Sequence, residues 1–419
     1  MSEGTPVTID KDPYPEMFRT YVTRGLRATL ESLDTPIERL DDAQRERGLH
    51  LLSYGLRLDA AWQDVRDLAL TLAPHLERQG YRRAWIELLE QALEQAITQN
   101  DQHGATQLHL QLGRLHTLLG DFAAADEQLL KMKQLAAAMG DQHLQAVALG
   151  RLGHSAFERS DLSAARAYAE ASLALLPSDD AAAASNWHLL GLVALRQGDI
   201  ARSAATLQQA LTINRSHGNQ QGVMIVLREL GVTYWHGKHF DLAITVLAEA
   251  VALSMEVGDI FGEATTRMNL GIAYWYRGDY EQAMAAYAPC EAIFRKIASR
   301  SYLARLYNNQ GLVYRELGEI ARARECFNSS LNLTRSENDH LETASVLDSL
   351  AGLWQRVGST REALATWQEA LSELERLPEA PRFLYNLIQE RMEAARLTEQ
   401  VDGFPAPENH PLTGYDGRA

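Results

Sequence analysis

Cysteine is almost absent. Cys290 and Cys326 are the only two among 419 residues. Two thiols at that separation provide neither a disulfide framework nor a zinc-ligand spacing. No apolar run approaches the ~18 residues that cross a bilayer, so no membrane span is expected. The opening residues, Met1 to Pro15, are polar and acidic and lack the basic start and apolar stretch of a secretory leader. The expected location is cytoplasmic. Positive charge is also short: 40 Lys and Arg stand against 55 Asp and Glu, a net charge of -15. So acidic a chain lacks the positive footprint that nucleic acid or an anionic membrane requires.

Catalytic signatures are missing as well. There is no GxGxxG and no HExxH motif. The nearest approach to a phosphate-binding loop runs from Gly231 to Gly237, Lys238 and His239. Its glycines are one residue too far apart, and His239 stands where a Ser or Thr would hold magnesium. His236 and His239 have a helix end between them and no third ligand. His109 and His116, two turns apart on one helix, read as packing or surface residues. The adjacent acids Asp41-Asp42 and Asp179-Asp180 read as solvated turns or caps rather than as an acid/base pair. The expectation is a protein that is not an enzyme and carries no cofactor or metal.

What the sequence has in abundance is repetition. A small residue recurs at Gly113, Gly153, Gly191, Gly231, Gly271, Gly311 and Ala351, nearly always 40 residues apart. A turn follows each, at Gly120-Asp121, Ser160-Asp161, Gly198-Asp199, Lys238-His239, Gly278-Asp279, Gly318-Glu319 and Gly358-Ser359, with an earlier one at Gly80. A second punctuation falls at Asn100-Asp101, Gly140-Asp141, Gly258-Asp259 and Asn338-Asp339. Apolar residues between the marks keep helical spacing, as in Leu242, Ile244, Leu247, Ala250 and Leu253. Each unit therefore reads as a helical hairpin, with a left-handed cap closing one helix and an acid opening the next. A Gly inside a helix costs roughly 1 kcal/mol against Ala, so its recurrence implies a close approach. Ala125, Ala165, Ala243, Ala283, Ala323 and Ala363 are expected to meet it from the second helix. Tyr234, Tyr274, Tyr314 and Trp354, with Tyr287, Phe327 and Trp367, are expected to fill the core. One hairpin cannot bury its apolar face, but stacked hairpins can.

These residues resemble the tetratricopeptide repeat (TPR), and Trp187, Leu190 and Gly191 match the family's Trp-Leu-Gly opening. The 40-residue period is similar to kinesin light chains and to the Pins/LGN adaptors, and bacterial regulators carry similar arrays. The resemblance implies an all-α, right-handed helical-hairpin solenoid with about eight units over residues 63–380. The first, residues 63–101, departs from the pattern: Ala73 replaces the Gly and Trp85 stands at the small position. Residues 14–62, broken at Thr35-Pro36, are expected to form N-terminal capping helices. Residues 381–400 are expected to form a final capping helix, with Leu384, Leu387, Ile388 and Met392 on one face. Residues 1–13 and the Pro- and Gly-rich 401–419 are expected to be disordered.

The resemblance also implies that first helices line a groove that holds a protein or peptide. Its implied contacts are Arg228, Trp235, Met268, Asn269, Trp275, Tyr276, Arg305, Asn308, Asn309 and Arg315. Asn amides both donate and accept, and so pair with any peptide backbone. Trp and Arg are common interface anchors. Trp235 and Trp275 hold the same position in successive units and are expected side by side. The arginines suggest an acidic segment as partner. The implied function is an interaction scaffold or adaptor; a regulatory or sensor subunit of a bacterial signalling or defence system is the alternative.

Overall fold

The computed structural model describes residues 14–33, 41–79, 82–377 and 382–400. The expectations for residues 1–13 and 401–419, the break at Thr35-Pro36 and the turn at Gly80 lie outside them. All regular structure among the described residues is helical. The chain divides into two compact units, residues 1–193 and 194–419.

The first unit contains α1 (Tyr14–Leu33), α2 (Asp42–Gly55), α3 (Trp62–Gln79), α4 (Arg82–Thr98), α5 (Gln102–Leu119), α6 (Phe122–Ala138), α7 (Gln142–Glu158) and α8 (Leu162–Leu173). A single 3-10 turn, Asp59–Ala61, leads into α3. The boundary between the units falls inside α9 (Ala181–Arg196). Val22 and Leu26 of α1 and Leu52 of α2 join Leu68, Leu72, Trp85 and Leu89 in one buried cluster. Both residues of the departing first repeat, Ala73 and Trp85, are buried in this cluster.

The second unit contains α10 (Ile200–Ser216), α11 (Gln220–His236), α12 (Phe240–Val257), α13 (Ile260–Arg277), α14 (Tyr280–Tyr287), α15 (Cys290–Lys296), α16 (Arg300–Glu316), α17 (Ile320–Ser336), α18 (His340–Arg356), α19 (Thr360–Leu374) and α20 (Arg382–Gln400). The second helix of the sixth repeat is two helices, α14 and α15. Pro289 stands between them; it offers no amide hydrogen and its ring obstructs a continuous helix.

The repeat glycines admit a close approach from the second helix, as expected, but at Gly271 and Gly311 through a different residue. A Cβ at Gly271 would lie 2.2 Å from the Tyr287 ring, and one at Gly311 would lie 2.6 Å from the Phe327 ring. At these two positions the large residue sixteen positions on, rather than the alanine twelve positions on, closes against the glycine. The alanines, Ala243, Ala283, Ala323 and Ala363 among them, are fully buried. Tyr234, Tyr274 and Tyr314 are half-buried, with Arg277 over the Tyr274 ring and Arg322 over the Tyr314 ring. Leu242 is half exposed, while Leu247 and Ala250 are buried.

The turns mostly follow the capping chemistry. Asp121, Asp161, Asp199 and Asp259 each accept a backbone N–H three residues on. Gly278 adopts φ +90° at the end of α13, where a side chain would be strained. Asp279, however, makes no side-chain cap; its carboxylate pairs with Arg277 instead. Glu319 likewise turns to Arg322 at 2.7 Å.

Candidate functional site

The ten implied contact residues all fall in the second unit, on α11, α13 and α16. These are the first helices of three consecutive hairpins. Helical spacing puts the fourth residue after each small residue on one face. In these three units that position holds Trp235, Trp275 and Arg315.

The aromatics form a chain bridged by a third ring. Tyr276 lies 6.1 Å from Trp235 and 5.0 Å from Trp275, centroid to centroid. Its ring contacts both indoles, so the side-by-side expectation for the two tryptophans is replaced by a Trp-Tyr-Trp arrangement. Phe240, at the start of α12, stacks on Tyr276 at 5.7 Å with the planes 7° apart. Burial pushes the Tyr276 phenol up to about 12. Trp235 is 4% exposed and Met268 6%, while Trp275 and Asn269 are half-buried.

The arginines are already engaged with carboxylates of the same chain. Arg305 donates from Nε to Glu342 Oε1 at 2.7 Å and lies over the Tyr302 ring. Arg315 donates from Nε and Nη2 to Glu316 Oε1 at 2.9 and 2.8 Å. Arg356 of α18 holds the other Glu316 oxygen at 2.8 Å. Burial pulls the Arg315 guanidinium below its ordinary value, partly offset by Glu316. Arg228 is held more loosely, 3.5 Å from Glu229. Glu342 and Arg356 were not among the implied residues. Their signal was present as an acid or a base about one repeat period from its partner.

Four polar atoms on this face are buried with no hydrogen-bond partner among the described residues: Trp235 Nε1, Trp275 Nε1, Arg315 Nη1 and Asn308 Oδ1. Three of them are N–H donors at the equivalent position of successive units. Asn309 is buried as well, at 7% exposure.

Stacked hairpins with a polar, aromatic-rich first-helix face define a helical-repeat protein. The chain carries tetratricopeptide repeats: that family's profile matches residues 180–256, 222–296 and 302–375. No curated protein matches the chain. Solved structures share the fold. The STAND protein with a tetratricopeptide-repeat sensor from Pyrococcus horikoshii aligns over 93% of this chain and 56% of its own, at TM-score 0.65 and 16% identity. This chain therefore spans little more than half of that protein. Aspartyl phosphate phosphatase F from Bacillus subtilis aligns over 90% of this chain and 98% of its own, at TM-score 0.56 and 14% identity. The apo form of the quorum sensor NprR from B. thuringiensis aligns over 71% and 82%, at TM-score 0.50 and 16% identity. At such identities the likeness is one of fold.

Proposed function

We propose that the chain is a binding scaffold whose second unit holds an extended peptide or protein segment along α11, α13 and α16. One observation carries this reading: the row of buried N–H groups on Trp235, Trp275 and Arg315 has no acceptor within the described residues. A buried donor without a partner costs about 1–3 kcal/mol. Carbonyl oxygens of a peptide backbone are the acceptors that recur at regular spacing whatever the side chains. Asn308 and Asn309, and the half-buried Asn269, supply matching amide groups.

An acidic segment is the finer form of this proposal. Its carboxylates would take over Arg305 and Arg315 from Glu342 and Glu316, so binding would weaken as salt rises. The chain acts by binding rather than by catalysis in this reading, inside the cell. The alternative, a regulatory or sensor subunit acting on a separate effector, draws support from the fold likeness to a repeat sensor across 93% of the chain.

Selection of displayed peptides on the full chain tests the groove. Selected peptides should lose at least tenfold in affinity for Trp275→Phe combined with Asn308→Leu, with helicity unchanged. They should keep their affinity for Leu242→Ala on the exposed side of α12. Equal affinity for all three proteins would remove this face from consideration.

A further inference from the structure

The α1–α2 hairpin of the first unit carries a surface of different chemistry. The two helices touch where Gly25 faces Leu51; a Cβ there would lie 2.7 Å from Leu51 Cδ2. Beside this contact runs a groove of about 900 Å³. Its apolar wall is Met17, Tyr21 and Tyr54, which are 64%, 73% and 43% exposed. Phe18 meets the Tyr54 ring edge-on at 5.7 Å and extends the apolar surface. The polar members include two exposed arginines, Arg24 and Arg47, with Glu16 at one end.

Two features mark this groove as a docking surface. First, its lining follows helix-to-helix spacing. Positions 17, 21, 24 and 28 form one stripe on α1, and 47, 51 and 54 form another on α2. Such stripes leave a furrow that a third helix fills ridge into groove. Second, the charge is unspent among the described residues. Neither Arg24 nor Arg47 has an ion-pair, hydrogen-bond or ring partner among the described residues. Elsewhere in the first unit, Arg27 pairs with Asp64 and Arg66 with Asp101. Two cations without a partner among the described residues, beside exposed aromatics in a chain of net charge -15, suit a partner with both carboxylates and apolar side chains.

We propose that the α1–α2 groove docks an amphipathic helix of a separate protein. Its apolar stripe covers Met17, Tyr21 and Tyr54, and its flanking carboxylates pair with Arg24 and Arg47. This surface is independent of the peptide face in the second unit.

The test uses the full chain and a fluorescein-labelled, helix-forming peptide with leucines at helical spacing and glutamates along both flanks. A second peptide carries lysines in place of the glutamates. In fluorescence anisotropy the glutamate peptide should bind at least tenfold more tightly than the lysine peptide. Arg24→Glu/Arg47→Glu should reverse that preference, and Met17→Ala/Tyr21→Ala should weaken both peptides. All four side chains are exposed, so these variants should fold as the parent does. Equal binding of the two peptides, no binding of the glutamate peptide, or an unchanged preference in the charge-reversed variant would overturn the proposal. Binding that appears only after removal of residues 1–13 would overturn it in favour of the chain's own N-terminus. A dimer in sedimentation equilibrium that Tyr21→Asp dissociates would overturn it in favour of a second copy.

Discussion

Single residues set how closely the helices approach. Gly271→Ala would drive a methyl group into the buried Tyr287 ring, and overpacking of this kind costs ~1–3 kcal/mol. Alanine returns about 1 kcal/mol of helix propensity, so the net expectation is a loss of up to ~2 kcal/mol in urea denaturation followed by circular dichroism. The opposite sign is expected at Ala298. It adopts φ +56° between α15 and α16, and the left-handed region costs a residue with a Cβ ~1–2 kcal/mol. Ala298→Gly relieves this at some cost in unfolded-state entropy; the unfolding midpoint should rise by an amount equivalent to ~0.5–1 kcal/mol. The need for a small residue at 271 was legible from its recurrence. That the ring sixteen positions on meets it was not, because repeat spacing reports which positions recur and not which of them touch.

At the scale of elements, α20 depends on one polar cluster. Asp348 of α18 is 2% exposed and accepts from Trp367 Nε1 of α19 at 2.8 Å; it also pairs with Arg391 of α20. Arg391 is buried too, at 5%. Removing one member of a buried pair strands the other charge, at about 3–5 kcal/mol. Asp348→Ala should therefore detach α20 first. Hydrogen exchange read along the chain should show lost protection at residues 382–397, with α11 and α13 little changed. If protection falls uniformly, the cluster does not anchor this element in particular. The apolar stripe of α20 was readable from its period, with Leu384, Ile388 and Met392 all buried. The ion pair was not, since Asp348 and Arg391 lie 43 residues apart and no motif links them. The split of α14 from α15 had a local sign in Pro289 that the repeat register masked.

For the whole molecule, pH sensitivity follows from two histidines of the first unit, His109 and His154. Burial, with Arg151 and His188 nearby, pushes His154 down to about 3. Burial also lowers His109, whose Nδ1 sits 2.7 Å from Gln128. A histidine whose folded value is depressed binds its proton more readily in the unfolded chain. Its contribution to stability is full above about pH 6.5 and is lost as pH falls from there toward the folded value. The thermal midpoint should therefore be lower at pH 5 than at pH 7.5, and His154→Gln should flatten the dependence. An unchanged slope in that variant would place the sensitivity elsewhere.

By itself the sequence determined the all-helical hairpin architecture, its period, and which first helices carry candidate contacts. These are properties of spacing, and helical spacing converts directly into shared faces. The tertiary structure alone decided how those side chains are spent. It put the Tyr276 ring in contact with both Trp235 and Trp275, engaged Arg305 and Arg315 with Glu342 and Glu316, and left a row of buried N–H groups without acceptors among the described residues. Pairing of this kind is set by distances of a few ångströms between helices of different repeats, and a one-dimensional pattern does not contain those distances.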